Sequence, residues 1–422
     1  MIVPLLLTLG ALAGGDDPIP KMLKEVSPKR IHRDVETLVG FHTRQTFSET
    51  ESDERGIGAA RRWLAKELQA ISEATGGRLE VREQRFTRRV SRRSEEEGEV
   101  VNVIGFLPGT QEDPLGRTYV VIGHYDSRAS RGSDTDSFAP GADDDASGTA
   151  VVLELARVLS ELELEANLVF LCVAGEEQGL YGSRHFAQRA REDGLAIDGV
   201  ITNDIVGGIE GGNGVVDLVT VRCFSGGDDQ SDSGGPSREL GRSLYDAAAR
   251  YVPDARVRLI FRLDRLGRGG DHIPFHEQGL PALRLTEANE NYARQHQDVR
   301  EEDGVAYGDV LEHVSAEYVA RVARVNAALL AQLALAPPAP QGMRVRGAVR
   351  YDTRLSWEPV EGAAGYVAVW RETTSPVWEH RSDVVTEPSV LLEGVIVDNH
   401  FFGVRAVDAA GHESRTTVPA GR

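Results

Sequence analysis

The sequence predicts an α/β unit, a mostly parallel mixed sheet with helices on both faces, followed by a C-terminal all-β sandwich. Three observations predict it. From about residue 100, apolar runs of strand length alternate with amphipathic runs of helix length, the pattern of strands joined by helical crossovers. A proline-rich stretch, Ala336-Pro337-Pro338-Ala339-Pro340, then breaks the chain, and proline ends helices because it has no backbone donor. Beyond it the apolar runs are short and alternating, with a turn signal roughly every ten residues, as in a small sandwich.

Taken in order, residues 1–13 form a short apolar stretch that closes on Ala11-Leu12-Ala13. That is the small-x-small form of a signal-peptidase site, so export to the periplasm or the medium is expected. Residues 20–336 are assigned to the α/β unit and 341–422 to the sandwich. Residues 56–68 (GIGAARRWLAKEL) place apolar side chains at helical spacing, and 79–86 alternate as an edge strand does. Strands follow at 100–107, 118–123, 167–174 and 199–204, with helices at 147–162 and 180–191 between them. A helix at 237–251, a strand ending near Leu285 and a long helix at 316–335 close the unit. Segments 127–140 and 225–236 are rich in Gly, Ser and Asp and read as loops near the mouth of a site. In the sandwich, strands are expected at 355–357, 365–370, 390–392 and 400–407, with Trp357 and Tyr366 in the core.

Composition narrows the function. With 422 residues, 41% hydrophobic and 27% charged, the chain has material for a large core and a smaller second one. A net charge of -19 excludes a protein that grips nucleic acid or an anionic membrane through a basic face. No segment approaches the roughly 20 apolar residues of a membrane span, so the mature protein is expected to be soluble. Its two cysteines, Cys172 and Cys223, are too few for a disulfide scaffold or a thiolate metal site and are expected as buried thiols. Any metal must be held by histidine and carboxylate.

Such residues fall just after apolar strands. His124 and Asp126 follow 119–123, Glu176 and Glu177 follow 168–174, and Asp204 closes 200–205. In an open α/β sheet the ligand crevice lies outside the carboxyl ends of the strands. Four carboxylates gathered there would repel one another without a cation, so a divalent metal is expected. The imidazoles of His124 and His296 favour zinc over calcium or magnesium.

The motifs GHYDS (123–127), PGADDDASG (140–148), AGEEQGLYGS (174–183), ND (203–204) and YARQHQD (292–298) occur in order. Together they resemble the bacterial leucyl aminopeptidase and aminopeptidase Y family of two-zinc peptidases, over about residues 56–335. The resemblance implies that two zinc ions are held by His124, Asp144, Glu177, Asp204 and His296. It makes Asp144 the bridge, with a cis bond to Asp145, and Asp126 the carboxylate that orients the His124 ring. Glu176 becomes the general base. Asp143 and Asp145 remain alternatives for the bridge, and His272 for His296, because the family shows His-Thr-x-x-Asp where this chain has His296-Gln297-Asp298. Tyr292 is a candidate for stabilising the oxyanion.

The implied activity is removal of the N-terminal residue from peptides with a free N-terminus. A carboxypeptidase or dipeptidase would need cations such as Arg265, Arg268 and Arg294, and relatives that are glutaminyl cyclases work with one zinc. A silent, metal-stabilised adhesion protein is a further alternative, but it would have no use for Glu176 beside a ligand. The pieces LSWEPVEGAAGYVAVWRE (355–372) and FFGVRAVDAAGHES (401–414) resemble a fibronectin type III module.

Overall fold

The computed structural model describes residues 17–90, 95–228, 231 and 233–419, so the expected signal segment at 1–13 lies outside the described residues. The described residues divide into a unit of residues 19–334 and a second made of 335–419 with residues 17 and 18.

The first unit opens on α1 (Ile19–Lys24) and α2 (Pro28–Gly40). Ser27 caps α2 by accepting from the Arg30 amide, and Pro28 takes the first helical position, where its missing donor costs nothing. Then come α3 (Gly56–Ala74), β1 (Glu80–Arg89), β2 (Glu97–Leu107), β3 (Thr118–His124), α4 (Gly148–Leu159), β4 (Asn167–Val173), α5 (Tyr181–Glu192) and β5 (Ile197–Asn203). The unit continues with β6 (Thr220–Ser225), α6 (Pro236–Tyr251), β7 (Arg256–Ile260), α7 (Ile273–His276) and β8 (Ala282–Glu287). It closes with the small hairpin β9 (Arg300–Glu302) and β10 (Val305–Tyr307) and the long α8 (Ala316–Leu335).

Eight strands form one sheet in the order β1-β2-β4-β3-β5-β8-β6-β7. Its centre, β4-β3-β5-β8, is parallel, and antiparallel pairs join β1 to β2, β2 to β4 and β8 to β6. The central strands β3 (TYVVIGH) and β4 (NLVFLCV) are buried along their whole length, as strands covered on both faces must be. The edge strand β1 (EVREQRFTRR) instead carries charges along its length, which protect an open edge from further pairing. Ile122, Leu171, Val173, Val200, Phe186 and Phe275 meet in the core. Cys172 and Cys223 are buried free thiols.

Two features set where the strand ends stand. A side chain at Gly123 would lie 2.6 Å from the Gly148 carbonyl carbon, and one at Gly148 would lie 2.2 Å from the Asn203 carbonyl oxygen. Only glycine lets α4 start this close to the ends of β3 and β5. At the end of β5, Asn203 and Asn326 of α8 exchange amide hydrogen bonds of 3.2 and 2.9 Å.

The second unit holds two three-stranded antiparallel sheets. One joins β11 (Arg344–Arg346), β12 (Thr353–Ser356) and β15 (Ser389–Leu392), and the other joins β14 (His380–Arg381), β13 (Gly365–Glu372) and β16 (His400–Val407). Leu355, Trp357, Tyr366, Leu392, Phe402 and Val404 are buried together, with the Trp357 and Tyr366 rings 5.3 Å apart. No helix among the described residues is long and apolar enough to cross a membrane.

Candidate metal centre

The carboxyl ends of β3, β4 and β5 lie side by side, so the residues that leave them converge. His124 ends β3, Glu176 and Glu177 lie in the turn after β4, and Asp204 follows β5. His296 arrives from the segment after β8, where its backbone adopts a φ of 52°.

These residues form two overlapping sets. One ligand atom each from His124, Asp144 and Asp204 lie within 4.8 Å of one another, as do one each from Asp144, Glu177 and His296. Asp144 belongs to both: its Oδ1 is 3.1 Å from His124 Nε2 and its Oδ2 is 3.0 Å from His296 Nε2. Glu177 Oε1 is 3.0 Å from His296 Nε2, and Asp204 Oδ1 is 3.9 Å from His124 Nε2.

The donors fit zinc. Ligand bonds of about 2.1 Å at tetrahedral angles put donor atoms ~3.4 Å apart, and the observed separations bracket that value. Imidazole with carboxylate is a zinc donor set. Moreover, His124 Nε2 and Glu177 Oε1 are buried and make no hydrogen bond among the described residues. Buried polar atoms left without a partner are costly, and a cation would satisfy both.

The three consecutive aspartates do three different things. Asp144 faces the imidazoles. Asp145 turns back into the fold, its Oδ2 accepting from the His124 amide at 3.0 Å and its Oδ1 from the Gly148 amide at 2.8 Å, which caps the start of α4. Asp143 accepts from the Gly207 amide at 2.6 Å and from Ser147 Oγ at 3.1 Å. The peptide bond between Asp144 and Asp145 is cis.

Asp126 acts differently from the expectation. His124 Nδ1 lies 3.1 Å from the backbone oxygen of Asp126 and 3.6 Å from its carboxylate. The carbonyl is therefore the better-placed partner of the ring. The carboxylate instead accepts from the amides of Glu176 (3.3 Å) and Glu177 (3.2 Å) and from Thr46 Oγ1 (3.1 Å). One residue thus orients a histidine and fixes the turn that carries both glutamates.

His272 stands apart from both sets, fully buried, with Nε2 2.7 Å from the Leu263 carbonyl. Burial pushes its imidazole down to about 4. Tyr292 is 70% exposed; it does not line the cavity beside the donors.

Three supporting residues were not foreseen. Arg284 on β8 is fully buried, with Nη2 2.9 Å from Asp204 Oδ2 and Nη1 3.2 Å from Asp264. A lone arginine in the apolar run PALRLTE was the signal, since a buried guanidinium requires a carboxylate. Arg44, also fully buried, donates to the carbonyls of Leu38, Tyr125, Pro140 and Gly141, tying together the chain on both sides of the centre. Asp309 accepts from the amides of Asp143 and Asp144 at 2.8 and 2.7 Å, and burial pushes its carboxyl up to about 8. Neither sits in a motif that would mark it.

Electrostatics follow from this crowding. Burial alone would raise Asp144, but the imidazoles of His124 and His296 outweigh it and hold the carboxyl well below the usual range. Burial alone would lower His296, yet Asp144 and Glu177 raise it to about 10. His124 is likewise raised well above its ordinary value by Asp126, Asp144, Asp145 and Asp204 against the effect of burial. Glu176 has no imidazole bonded to it; burial, with Asp204, Asp271 and Glu177 nearby, raises it well above the usual carboxylate range. It lines a cavity of about 300 Å³ together with Asp144, Asp204 and His296.

An α/β sheet whose strand ends gather imidazoles and carboxylates around such a cavity defines a metal-dependent hydrolase. The chain belongs to peptidase family M28, whose model matches residues 102–327. It is 42% identical to a probable zinc metalloprotease of Pyricularia oryzae, over 96% of this chain and 84% of that protein. A probable zinc metalloprotease of Leptosphaeria maculans is 39% identical over 96% of this chain and 97% of its own. These relatives are fungal, whereas the motifs resemble bacterial leucyl aminopeptidases. Among solved structures the fold is similar to LapB of Legionella pneumophila (TM-score 0.56, 20% identity, 75% of each chain covered). It is also similar to the glutaminyl cyclase of Fimbriiglobus ruber (TM-score 0.53, 20% identity, 72% of this chain and 94% of that one).

Proposed function

We propose that this chain is an exported two-zinc aminopeptidase, hydrolysing the first peptide bond of substrates with a free N-terminus. The observation that carries the reading is the pair of donor sets sharing Asp144, with Glu176 free of metal-type contacts in the same cavity. His124 and Asp204 would hold one ion, Glu177 and His296 the other, and Asp144 would offer one oxygen to each. When bound, zinc polarises the scissile carbonyl and lowers the pKa of water toward neutrality.

The protein's own part falls to Glu176. Its carboxylate accepts a proton from the attacking water as the C–O bond forms, and returns it to the leaving amine as the C–N bond breaks. Asp126 keeps the Glu176 amide, and so the base, in place. Two complete donor sets favour a peptidase over a one-zinc glutaminyl cyclase.

Residues 1–13 are proposed as a cleaved export signal, and 341–422 as a fibronectin type III-like module. The amino-terminal sequence of the secreted protein tests the first.

Purified protein should contain two zinc ions per chain and release the amino acid from aminoacyl anilides. Glu176→Gln should keep the metal and lose turnover by about 10²–10⁴-fold. A zinc-loaded wild type that ignores free-amine substrates while trimming carboxyl ends would overturn the aminopeptidase reading, and a protein that binds no zinc would overturn the whole scheme.

A further inference from the structure

We propose that Arg268 receives a carboxylate of the substrate, so that the enzyme prefers peptides carrying an acidic side chain or a free carboxyl terminus beside the scissile bond. The inference rests on the peptidase reading and names its substrate class.

The segment from Asp264 to Gly269, between β7 and α7, forms the cavity wall that carries Arg265 and Arg268, while Asp144, Glu176, Asp204 and His296 supply the reactive wall. Leu180 is the one large apolar side chain on that lining. A pocket for leucine-like side chains would be lined mainly by apolar groups; this one is lined by charge.

The two arginines are not equivalent. Arg265 is 9% exposed and committed to Asp264 at 3.1 Å and Glu290 at 2.9 Å. Arg268 is 31% exposed and uses only Nη1, toward Gln295 Oε1 at 2.8 Å and Glu290 at 3.4 Å. Its Nε and Nη2 make no hydrogen bond among the described residues. Gly267 and Gly269 flank it in the chain and line the same cavity.

Charge counting separates this from an ordinary surface ion pair. Glu290 is buried and already has Arg222 at 2.6 Å as well as Arg265. One carboxylate faces three guanidiniums. Asp264, the other carboxylate against Arg265, is shared with Arg284. Glu290 therefore fixes the Arg268 side chain without neutralising the cluster. A guanidinium held by one nitrogen on a residue that lines the cavity, with its other donors unbonded among the described residues, has donors left to receive a carboxylate.

The test uses the zinc-loaded full chain in two arms. In the first, glutamyl and glutaminyl anilides, which lack a terminal carboxylate, are compared; in the second, a dipeptide is compared with its amide. The arm with the larger kcat/KM ratio identifies the source of the carboxylate. A charge-assisted hydrogen bond at a partly exposed site is worth about a tenfold preference, and Arg268→Ala should bring the ratio close to one, with Arg268→Lys keeping part of it. Calorimetry gives a readout independent of turnover, with free glutamate against glutamine for the side-chain source and a dipeptide against its amide for the terminal source. The carboxylate-bearing ligand of the arm that shows the preference should bind about tenfold more tightly, and Arg268→Ala should remove the difference. Equal kcat/KM in both arms together with equal binding, or a preference that survives Arg268→Ala, overturns the proposal and leaves the peptidase reading standing. Absence of any hydrolysis with the binding difference intact does the reverse.

Discussion

Arg284→Met keeps much of the side-chain volume on β8 and removes its charge. In the wild type, burial would raise Asp204, but Arg284 and then His124 bring it down to about 2 from 3.8. A carboxyl depressed in this way contributes about 2 kcal/mol at neutral pH, complete above the unfolded value and lost as pH falls through about 2. Without Arg284, Asp204 loses its 2.9 Å partner and Asp264 its 3.2 Å one, both inside the protein. Breaking a buried ion pair from one side costs about 3–5 kcal/mol. For a unit of about 300 residues that corresponds to a fall of roughly 5–8 °C in Tm. Thermal melts in chelator at pH 7 read it directly. The gap to wild type should narrow as pH falls and Asp204 takes up a proton, and zinc should narrow it as well, by supplying a second cation to the same carboxylate. A variant in chelator at pH 7 that melts within about 1 °C of wild type would refute the role given to Arg284.

Other outcomes follow from the same geometry. Asp126→Asn leaves one acceptor oxygen for the two glutamate amides and Thr46, so kcat should fall about 10- to 100-fold with zinc retained; unchanged kcat would remove Asp126 from the turn's support. In the absence of metal the neighbouring carboxylates raise His124 well above its ordinary value and His296 to about 10, and a ligating imidazole must be neutral. Zinc loading at pH 7 should therefore release about two protons and tighten as pH rises, measured by calorimetry in buffers of different ionisation heat; loading without proton release would contradict it. Gly123→Ala forces a side chain against the Gly148 backbone, which cannot yield cheaply, and should cost more than about 2 kcal/mol in chemical denaturation. A silent substitution would show that α4 can retreat.

The parts of the fold that were legible in the sequence are those where burial is two-sided or periodic. β3 and β4 are buried throughout and carry apolar runs from Tyr119 to Ile122 and from Leu168 to Val173, and α8 begins and ends at the residues its periodicity marks. β6 and β7 were missed because Arg222, Arg256 and Arg258 interrupt their apolar pattern, those strands lying toward one edge of the sheet. α1, α2 and the β9–β10 hairpin were missed as well, the hairpin because its strands are exposed and three residues long. At the site, strand ends marked His124, Glu176, Glu177 and Asp204, while only the family resemblance selected Asp144 and His296. The structure brings all six together. What it adds lies in long-range contacts: Arg44 reaching Gly141, Asp309 reaching Asp144, and Arg284 reaching Asp204. Such contacts leave no local pattern, because their partners are distant in the chain.

The amide clasp between Asn203 and Asn326 bears on when this site comes into being. Every candidate donor, from His124 to His296, is synthesised before the helix that anchors the strand end next to Asp204. Contacts of such sequence separation form late, after shorter loops have closed. A ribosome-bound chain that has not yet delivered α8 lacks the Asn326 amide that bonds this strand end. The strand end beside Asp204 therefore gains this anchor only after residue 326 has been added to the chain, later than every candidate donor.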